Sequence, residues 1–236
     1  MEKIKIFTAF HKEFEMPNDN FHIPIHVWKA ISNINLDIIW DNTWDNISHK
    51  NKNYCELTML YWIWKNYDLH ETDFVWLAHY RRLFNLDNKI INKIHNYDII
   101  LPKKEIIWSL SFSISLYQQY CLCHIKEDID QLFQLLEKEN KEYFNLANKI
   151  LKKRNFLYFL NKWHFFNMFI MKKDIFIEYC NFLFDILLKL EENIKTSWYD
   201  YQSRVFWFLA ERILNIFIEK KRKEWYKILE INVIKK

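Results

Sequence analysis

The sequence predicts an α/β fold in which helices flank a mixed, mainly parallel sheet, with a helix-rich C-terminal half. Three observations carry this prediction. Short apolar runs with strand character alternate with longer segments of helical period, the longest helical segments lie late in the chain, and no repeat or proline-rich linker divides it. The 236 residues suffice for one large domain, which we expect to span residues 1–236.

The individual elements follow from the spacing of apolar residues. Strands are predicted where short apolar runs occur, at 3–10, 73–79, 97–102, 165–171 and 228–234. Helices are predicted where the apolar period is helical, at 53–66, 126–154, 174–194 and 200–221. Residues 18–52 are polar and irregular, so we expect a long functional loop there.

Composition excludes several classes of protein. Half of the residues are hydrophobic and 27% are charged, an ordinary balance for a globular chain. No run reaches the ~18 apolar residues that a membrane span needs. Strand-like sequence begins at once, so we expect no signal peptide and a cytoplasmic protein. The net charge of +4 is too small to indicate nucleic-acid binding.

The cysteines do not indicate a metal site. In a cytoplasmic chain of this size the four cysteines are expected to be reduced core residues. Cys121 and Cys123 with His124 resemble a set of metal ligands, but the second cysteine pair of a structural zinc site is missing. We therefore predict no metal there.

The chain contains no glycine and eleven tryptophans. Average usage of ~7% would give roughly sixteen glycines, and turns of an α/β protein need positive φ. Trp40 and Trp44 stand among loop residues, while Trp76 and Trp207 stand where a small residue would suit. One hypothesis is that the gene uses UGA for glycine and has been read as if UGA encoded tryptophan. The alternative is a genuine tryptophan-rich chain.

Cationic residues follow three predicted strands. They are His11-Lys12, the segment His79-Tyr80-Arg81-Arg82, and Lys103-Lys104. Ligands of open α/β sheets bind beyond the carboxyl ends of the strands, so these groups are expected to converge on an anion such as a diphosphate. The alternative for each cluster is a chain that simply leaves the core for solvent. Other basic clusters are expected to be solvated surface, although anionic lipid headgroups would also attract them.

Several segments together resemble the DUF4422 family of capsular and exopolysaccharide gene clusters. The resemblance covers nearly the whole chain and rests on these segments: His79-Tyr80-Arg81-Arg82, 45–48 with 53–58, Phe166-Asn167-Met168-Phe169-Ile170-Met171, and Arg204-Val205-Phe206 with Ala210-Glu211-Arg212. It implies a GT-A-like glycosyltransferase that moves a sugar, such as galactose or galactofuranose, from a UDP-sugar. The expected acceptor is a lipid-linked oligosaccharide at the inner membrane face, where the long helices and basic tail would make peripheral contact. The modest charge and the lack of a recognisable nucleic-acid module argue against nucleic acid.

The resemblance implies a donor site that uses arginine charge. GT-A enzymes usually hold the diphosphate through a divalent metal on an Asp-x-Asp motif, and here His79-Tyr80-Arg81-Arg82 occupies the corresponding strand end. Donor contacts are therefore expected from His11, Lys12, Asp41, His79, Tyr80, Arg81 and Arg82. A divalent metal such as manganese or magnesium stays an alternative, held at Asp41, at Asp45 or at Asp128-Ile129-Asp130. The plain readings of these carboxylates are turn formation and the helix dipole.

Glycosyl transfer also needs a general base and an acceptor site. Asp45, Glu56 and Glu211 are the candidate bases, and His164 and Asn167 are the candidate acceptor contacts. The alternative role of Glu56 is helix capping, and that of Glu211 is an ion pair with Arg212. The alternative for His164 and Asn167 is a structural role in a turn and the core. A non-catalytic nucleotide- or polysaccharide-binding protein is the competing function.

The resemblance extends to the tryptophans. The family pattern has glycine where this chain has Trp28, Trp40, Trp44, Trp76, Trp163 and Trp207, whereas Trp62 and Trp64 match tryptophans of the family.

Overall fold

The computed structural model describes residues 3–14, 21–79, 82–85, 90, 93–106, 114–153 and 162–235. Its strands are β1 Ile4–Phe10, β2 His22–His26, β3 Ile39–Trp40, β4 Phe74–His79, β5 Arg82–Phe84, β6 Ile99–Pro102, β7 Glu105–Ile106, β8 Lys162–Trp163, β9 Phe169–Lys172, β10 Ile228–Ile231 and β11 Val233–Lys235. Its helices are α1 Asn51–Tyr54, α2 Leu57–Asn66, α3 Leu116–Cys123, α4 Lys126–Glu139, α5 Lys141–Leu151, α6 Lys173–Glu191 and α7 Val205–Lys223.

The chain forms two compact units that are interleaved in sequence. The first comprises residues up to 103 with 168–181 and 226–236, and the second comprises 104–167 with 182–225. The prediction of one domain over 1–236 stays a prediction. Within the described residues, no helix is both long and apolar enough to cross a membrane.

The first unit contains the main sheet. Seven of its nine strands follow the order β10-β6-β9-β4-β1-β2-β3, and β5 and β11 extend it from β4. Neighbours along the order are parallel except at β9, which runs antiparallel to both β4 and β6. Phe169, Ile170 and Met171 of β9 are wholly buried, as expected for a central strand covered on both faces. The predicted α/β class with a mixed, mainly parallel sheet is confirmed.

Among the described residues of the second unit, the regular structure is helical apart from the β7–β8 pair, which confirms the helix-rich C-terminal half. The single helix predicted over 126–154 is wrong, because Asn140 ends α4 and begins α5. Its side chain accepts a hydrogen bond from the backbone N–H of Tyr143, as an N-cap does.

The loop predicted over 18–52 is also wrong in part, because it contains β2 and β3. Pro24 and two histidines make the sequence of β2 atypical of a strand, yet β2 pairs in parallel with β1 through its full length. The missed strand matters, because its last residue lies at the edge where ligands bind in such sheets.

Candidate functional site

Four neighbouring strands of the first unit end at one edge of the main sheet. Register pairs Phe10 of β1 with His26 of β2, His26 with Trp40 of β3, and Ala9 with His79 of β4. The sheet therefore brings together the residues that follow these strands, among them the predicted donor residues His11, Lys12 and Asp41. His11 is half-buried and Lys12 is exposed.

The predicted arginine segment is described only at its ends. Tyr80 and Arg81 lie outside the described residues. Arg82 is half-buried and begins β5, where its backbone pairs with that of His79. Because β5 is antiparallel to β4, Arg82 lies beside the carboxyl end of β4.

Asp41 is fully buried, and its carboxylate is occupied by four donors. Oδ1 accepts from the backbone N–H of Lys29 at 3.2 Å and the hydroxyl of Ser48 at 2.5 Å. Oδ2 accepts from the backbone N–H of Trp28 at 3.2 Å and the hydroxyl of Thr58 at 2.7 Å. These bonds tie the segments after β2 and β3 to the start of α2. The geometry gives Asp41 a positioning role within the site.

Asp45 is the more accessible carboxylate of this region. It is exposed and accepts a hydrogen bond from the Tyr61 hydroxyl at 3.0 Å. Burial, together with this hydrogen bond to Asp45, raises the pKa of Tyr61 to about 12, so the phenol keeps its proton and remains a donor. Glu56 stands just before α2, and its side chain makes no capping hydrogen bond.

A cavity of about 400 Å³ lies next to the Asp45 loop within the first unit. It is lined by Ile38, Ile39, Trp40, Thr43, Trp44, Trp62, Asn66, Tyr67 and Asp68. Trp44 stacks on Trp62 with ring centroids 6.1 Å apart, and the indole N–H of Trp62 donates to Thr43 at 2.9 Å. Apolar and aromatic walls with a few polar groups are typical of small-molecule pockets.

The other predicted residues meet in the second unit, where one face of α7 holds the loop 164–167. The Glu211 carboxylate accepts the backbone N–H of Phe166 at 2.9 Å, and Asn167 donates from Nδ2 to the Trp207 carbonyl at 3.2 Å. Asn215 accepts the backbone N–H of His164 at 3.1 Å and donates to its carbonyl at 2.8 Å. The structure thus unites Glu211, His164 and Asn167.

Glu211 is buried against a buried cation. Arg212 donates to the Glu211 carboxylate at 2.8 Å and to the Phe208 carbonyl at 3.0 Å. Its guanidinium also contacts Gln119 and lies 4.9 Å from the Tyr120 ring centroid. Because both groups are less than 10% exposed, this pair is a structural tie in the geometry seen here.

The Asp128-Ile129-Asp130 motif does not form a shared pair of ligands. Burial, with help from Glu127, raises the pKa of Asp128 to about 6. Asp130 accepts from the Tyr117 hydroxyl at 2.6 Å and pairs with Lys126. Burial alone would raise the pKa of Asp130, but the bonds from Lys126 and Tyr117 hold it below its usual value.

His124 is likewise committed to packing. It stacks on Phe208 with centroids 3.7 Å apart, and burial followed by the Arg212 charge lowers its pKa to about 4. In the part of the chain that the structure describes, no group of three His, Cys, Asp or Glu residues could hold a metal ion.

Sequence reasoning missed His26, Lys29, Ser48 and Thr58. His26 is fully buried at the end of β2, and neither ring nitrogen has a hydrogen-bond partner among the described residues. The rule that ligands bind at strand ends would have found it, had β2 been recognised as a strand. Ser48 and Thr58 lie in segments that carry the family resemblance, but only the fold shows that they donate to Asp41.

Comparison with known proteins identifies the family and one close fold. The chain adopts the fold of a solved structure described as the WbbM bifunctional glycosyltransferase in its apo form, with a TM-score of 0.87 and 31% sequence identity. That match covers 98% of this chain but 45% of the other, so the chain spans less than half the length of that protein. It confirms the predicted GT-A-like architecture. No curated protein matches the sequence. The model of the domain of unknown function DUF4422 matches residues 5–223, and the chain therefore belongs to the DUF4422 family.

Proposed function

We propose that the chain is a glycosyltransferase that uses a nucleotide-sugar donor. The observation that carries this proposal is 31% identity over 98% of the chain to a structure described as a bifunctional glycosyltransferase. Basic residues that follow β1 or begin β5 at the carboxyl edge of the main sheet also support it, because a leaving nucleoside diphosphate needs positive charge.

The donor in this proposal is a UDP-sugar, with galactose or galactofuranose as the sugar. His11, Lys12 and the segment 79–82 supply the positive charge for the diphosphate, with bidentate contacts from Arg81 and Arg82. Asp41 holds the adjoining loops in place through its four hydrogen bonds. Arginine charge takes the part of a metal in this scheme, and a divalent manganese or magnesium ion is the alternative that chelation tests.

Asp45 is the general base in this proposal. The acceptor hydroxyl loses its proton to the Asp45 carboxylate and attacks the anomeric carbon, while the bond to the diphosphate breaks and UDP leaves. Asp45 is exposed, and its carboxylate accepts a hydrogen bond from Tyr61 while its backbone carbonyl accepts one from Asn66. Glu211 is already paired with Arg212 and the backbone of Phe166, which favours a positioning role for it. Glu56, half-buried before α2, is the second candidate base.

The acceptor in this proposal is a lipid-linked oligosaccharide at the cytoplasmic face of the inner membrane, with contacts from His164 and Asn167. Two lysines of the basic cluster at the end of α7 are paired, Lys220 with Glu142 and Lys221 with Glu224. Peripheral membrane contact therefore falls more to exposed aromatic side chains such as Trp198, which is 91% exposed.

UDP binding and turnover of UDP-galactose and UDP-galactofuranose test the proposal. UDP should raise the melting temperature, because it binds only the folded chain. A rise that survives EDTA supports arginine charge, and a rise that EDTA abolishes supports a metal. Asp45→Asn should lower turnover by a factor of about 10² to 10⁴ while UDP binding persists. UDP binding with no release of UDP from either donor would favour the non-catalytic nucleotide-binding protein. No effect of UDP would reject the donor class.

A further inference from the structure

His26 is a buried polar side chain without a partner at the edge proposed for the donor. It is 0% exposed, and both Nδ1 and Nε2 lack a hydrogen-bond partner among the described residues. Burying an unpaired polar group destabilises a fold, so its presence needs an explanation. Its neighbours in register are Phe10 and Trp40, the last residues of β1 and β3.

Thr8 is a second unpartnered group on the same face of the sheet. Register partners in a parallel sheet point their side chains to the same side, so His26 shares the face of Phe10, and Thr8 lies two residues before Phe10. Thr8 is 5% exposed, and its hydroxyl has no partner in the described part of the chain. Two orphan polar groups on adjacent strands point to a ligand that satisfies both.

The segment that covers this face is held by few buried residues. Leu36 and Ile38 pack against Phe10. Within residues 28–38, Leu36 is the one buried residue, while Ile31 and Ile34 are about half exposed. Hydrogen bonds to Asp41 and Ser48 hold residues 28–30 in place. Residues 31–38 have little buried surface and open at low cost in free energy, which gives a ligand access to the imidazole.

The charge state of His26 limits the class of ligand. Burial, followed by the charge of Lys29, lowers the pKa of His26, so the ring is neutral at pH 7. A neutral imidazole offers one donor and one acceptor, and the Thr8 hydroxyl offers both. Such a pair complements uncharged polar groups, whereas the exposed cation of Lys12 suits a phosphate.

We propose that His26, with Thr8, contacts the nucleoside of the donor. This assignment rests on the proposed function, because it concerns the same site. The uracil or ribose enters beneath residues 31–38 and gives the imidazole the hydrogen-bond partner that it lacks in the free protein.

Ring ¹⁵N NMR tests the contact directly. The His26 resonances, assigned with His26→Gln, are followed during titration with uridine, UDP and pyrophosphate, while calorimetry measures binding. Shifts with uridine and UDP support the proposal. Shifts with pyrophosphate alone overturn the assignment to the nucleoside, and UDP binding without a His26 shift overturns the contact itself. Absence of UDP binding overturns both this inference and the UDP donor, so the two failures are distinguishable.

A stability measurement separates this role from a structural one. His26→Phe removes the orphan nitrogens, so the variant should melt about 2–4 °C higher while binding UDP roughly tenfold more weakly. Tyr120→Phe is the matched control, because the Tyr120 hydroxyl is also buried and unpartnered but belongs to the second unit. The control should gain stability and keep its affinity. Equal UDP affinity in His26→Phe and the wild type would overturn the proposal.

A different observation, the backbone conformation of three tryptophans, carries a second inference. The described residues with positive φ are Trp28 at 68°, Trp44 at 51°, Cys55 at 50°, Phe166 at 79°, Asn167 at 49° and Trp225 at 65°. For an L-residue with a bulky side chain this region costs roughly 1–2 kcal/mol, and glycine occupies it freely. Half of these positions carry tryptophan in a chain that has no glycine.

Trp225 occupies the position that most often carries glycine after a helix. The N–H of Glu224 bonds to the Lys220 carbonyl and that of Trp225 to the Arg222 carbonyl, which closes α7. The indole is 91% exposed, so burial of the ring does not offset the backbone cost. The sequence pattern did not single out this tryptophan.

Two tryptophans with a buried indole N–H show a related mismatch. The indole N–H groups of Trp76 and Trp163 are buried without a partner, whereas that of Trp62 donates to Thr43. A buried indole normally finds an acceptor. The fold therefore accommodates the Trp62 indole and leaves the indoles of Trp76 and Trp163 with an unpaired polar group.

We infer that the natural protein carries glycine at positions 28, 44 and 225. Trp28→Gly, Trp44→Gly and Trp225→Gly should each raise the melting temperature by about 2–4 °C. Trp198→Gly is the matched control, since Trp198 is as exposed as Trp225 but lacks positive φ. Its melting temperature should not rise. Peptide mass spectrometry of the protein from its native host gives the deciding result. Glycine at 225 supports the inference and tryptophan overturns it, whether or not each variant folds.

Discussion

Asp41 of the first unit and Glu211 of the second are both buried carboxylates, but their surroundings differ. Asp41 is satisfied by two backbone N–H groups and two hydroxyls. Glu211 is satisfied by a buried guanidinium and one backbone N–H. Neutral donors satisfy the Asp41 carboxylate without a countercharge, whereas burial of the Glu211–Arg212 pair requires desolvation of two charged groups. The stability of the buried Asp41 carboxylate therefore depends on the positions of several loops, whereas that of the Glu211 carboxylate depends mainly on Arg212.

Removal of Asp41 should have the largest effect. Asp41→Ala leaves two partly buried N–H groups and two buried hydroxyls without their acceptor, so we expect a loss of roughly 4 kcal/mol in the free energy of unfolding. Urea denaturation measures it. Asp41→Asn should recover little, because its NH₂ group faces a backbone N–H. A loss below about 1 kcal/mol in Asp41→Ala would show that the four hydrogen bonds to Asp41 do not hold these loops together.

Removal of Glu211 should come next. Glu211→Ala leaves Arg212 buried without its carboxylate and frees the Phe166 N–H, which should cost roughly 3 kcal/mol. Glu211→Gln keeps an acceptor for that N–H and should lose less. Urea denaturation of the pair of variants gives the comparison. Equal losses would show that charge alone matters at this position.

A smaller effect of opposite sign is expected at Asp128. Its folded pKa of about 6 lies above the usual 3.8, so the folded state holds the proton more tightly. Stability therefore falls as pH rises from about 4 to 6, and the full cost is present above 6. Asp128→Asn should stabilise the protein by roughly 2 kcal/mol at pH 7 and by almost nothing below pH 4. Thermal denaturation of the variant and the wild type across this range measures the difference in stability. His124, whose pKa is lowered, destabilises both proteins equally as pH falls, so its contribution cancels in that difference.

The smallest effect is expected at Asp98 of the first unit. Burial alone would raise its pKa, but hydrogen bonds from Lys172 and the backbone N–H of Lys227 hold it below 3.8. The Lys172 side chain is 44% exposed, which limits the strength of the pair. Lys172→Met should cost about 0.5–1 kcal/mol at pH 7, and the loss should fade as the carboxylate protonates below pH 4. A pH-independent loss would show that packing, not charge, is responsible.

The candidate site could be predicted from the sequence where the chemistry is local. His11 and Lys12 follow a strand that is apparent from its alternation, so their place at the sheet edge could be read from the chain. His26 could not, because Pro24 and flanking histidines hide β2. Glu211, His164 and Asn167 are separate candidates in the sequence, and nothing in it indicates that they meet, because the loop and the helix that unite them are 40 or more residues apart.

The sequence by itself determined the α/β class, the helix-rich second half, the family and the absence of glycine, because these depend on periodicity, motifs and composition. Tertiary structure alone decided that Asp41 accepts four hydrogen bonds, that Asp128 and Asp130 have different surroundings, and that His26 lies buried without a hydrogen-bond partner among the described residues. The physical reason is that hydrogen-bond saturation and burial depend on contacts between distant segments. A side chain's type states what it can bind, and only the fold determines which groups reach it first.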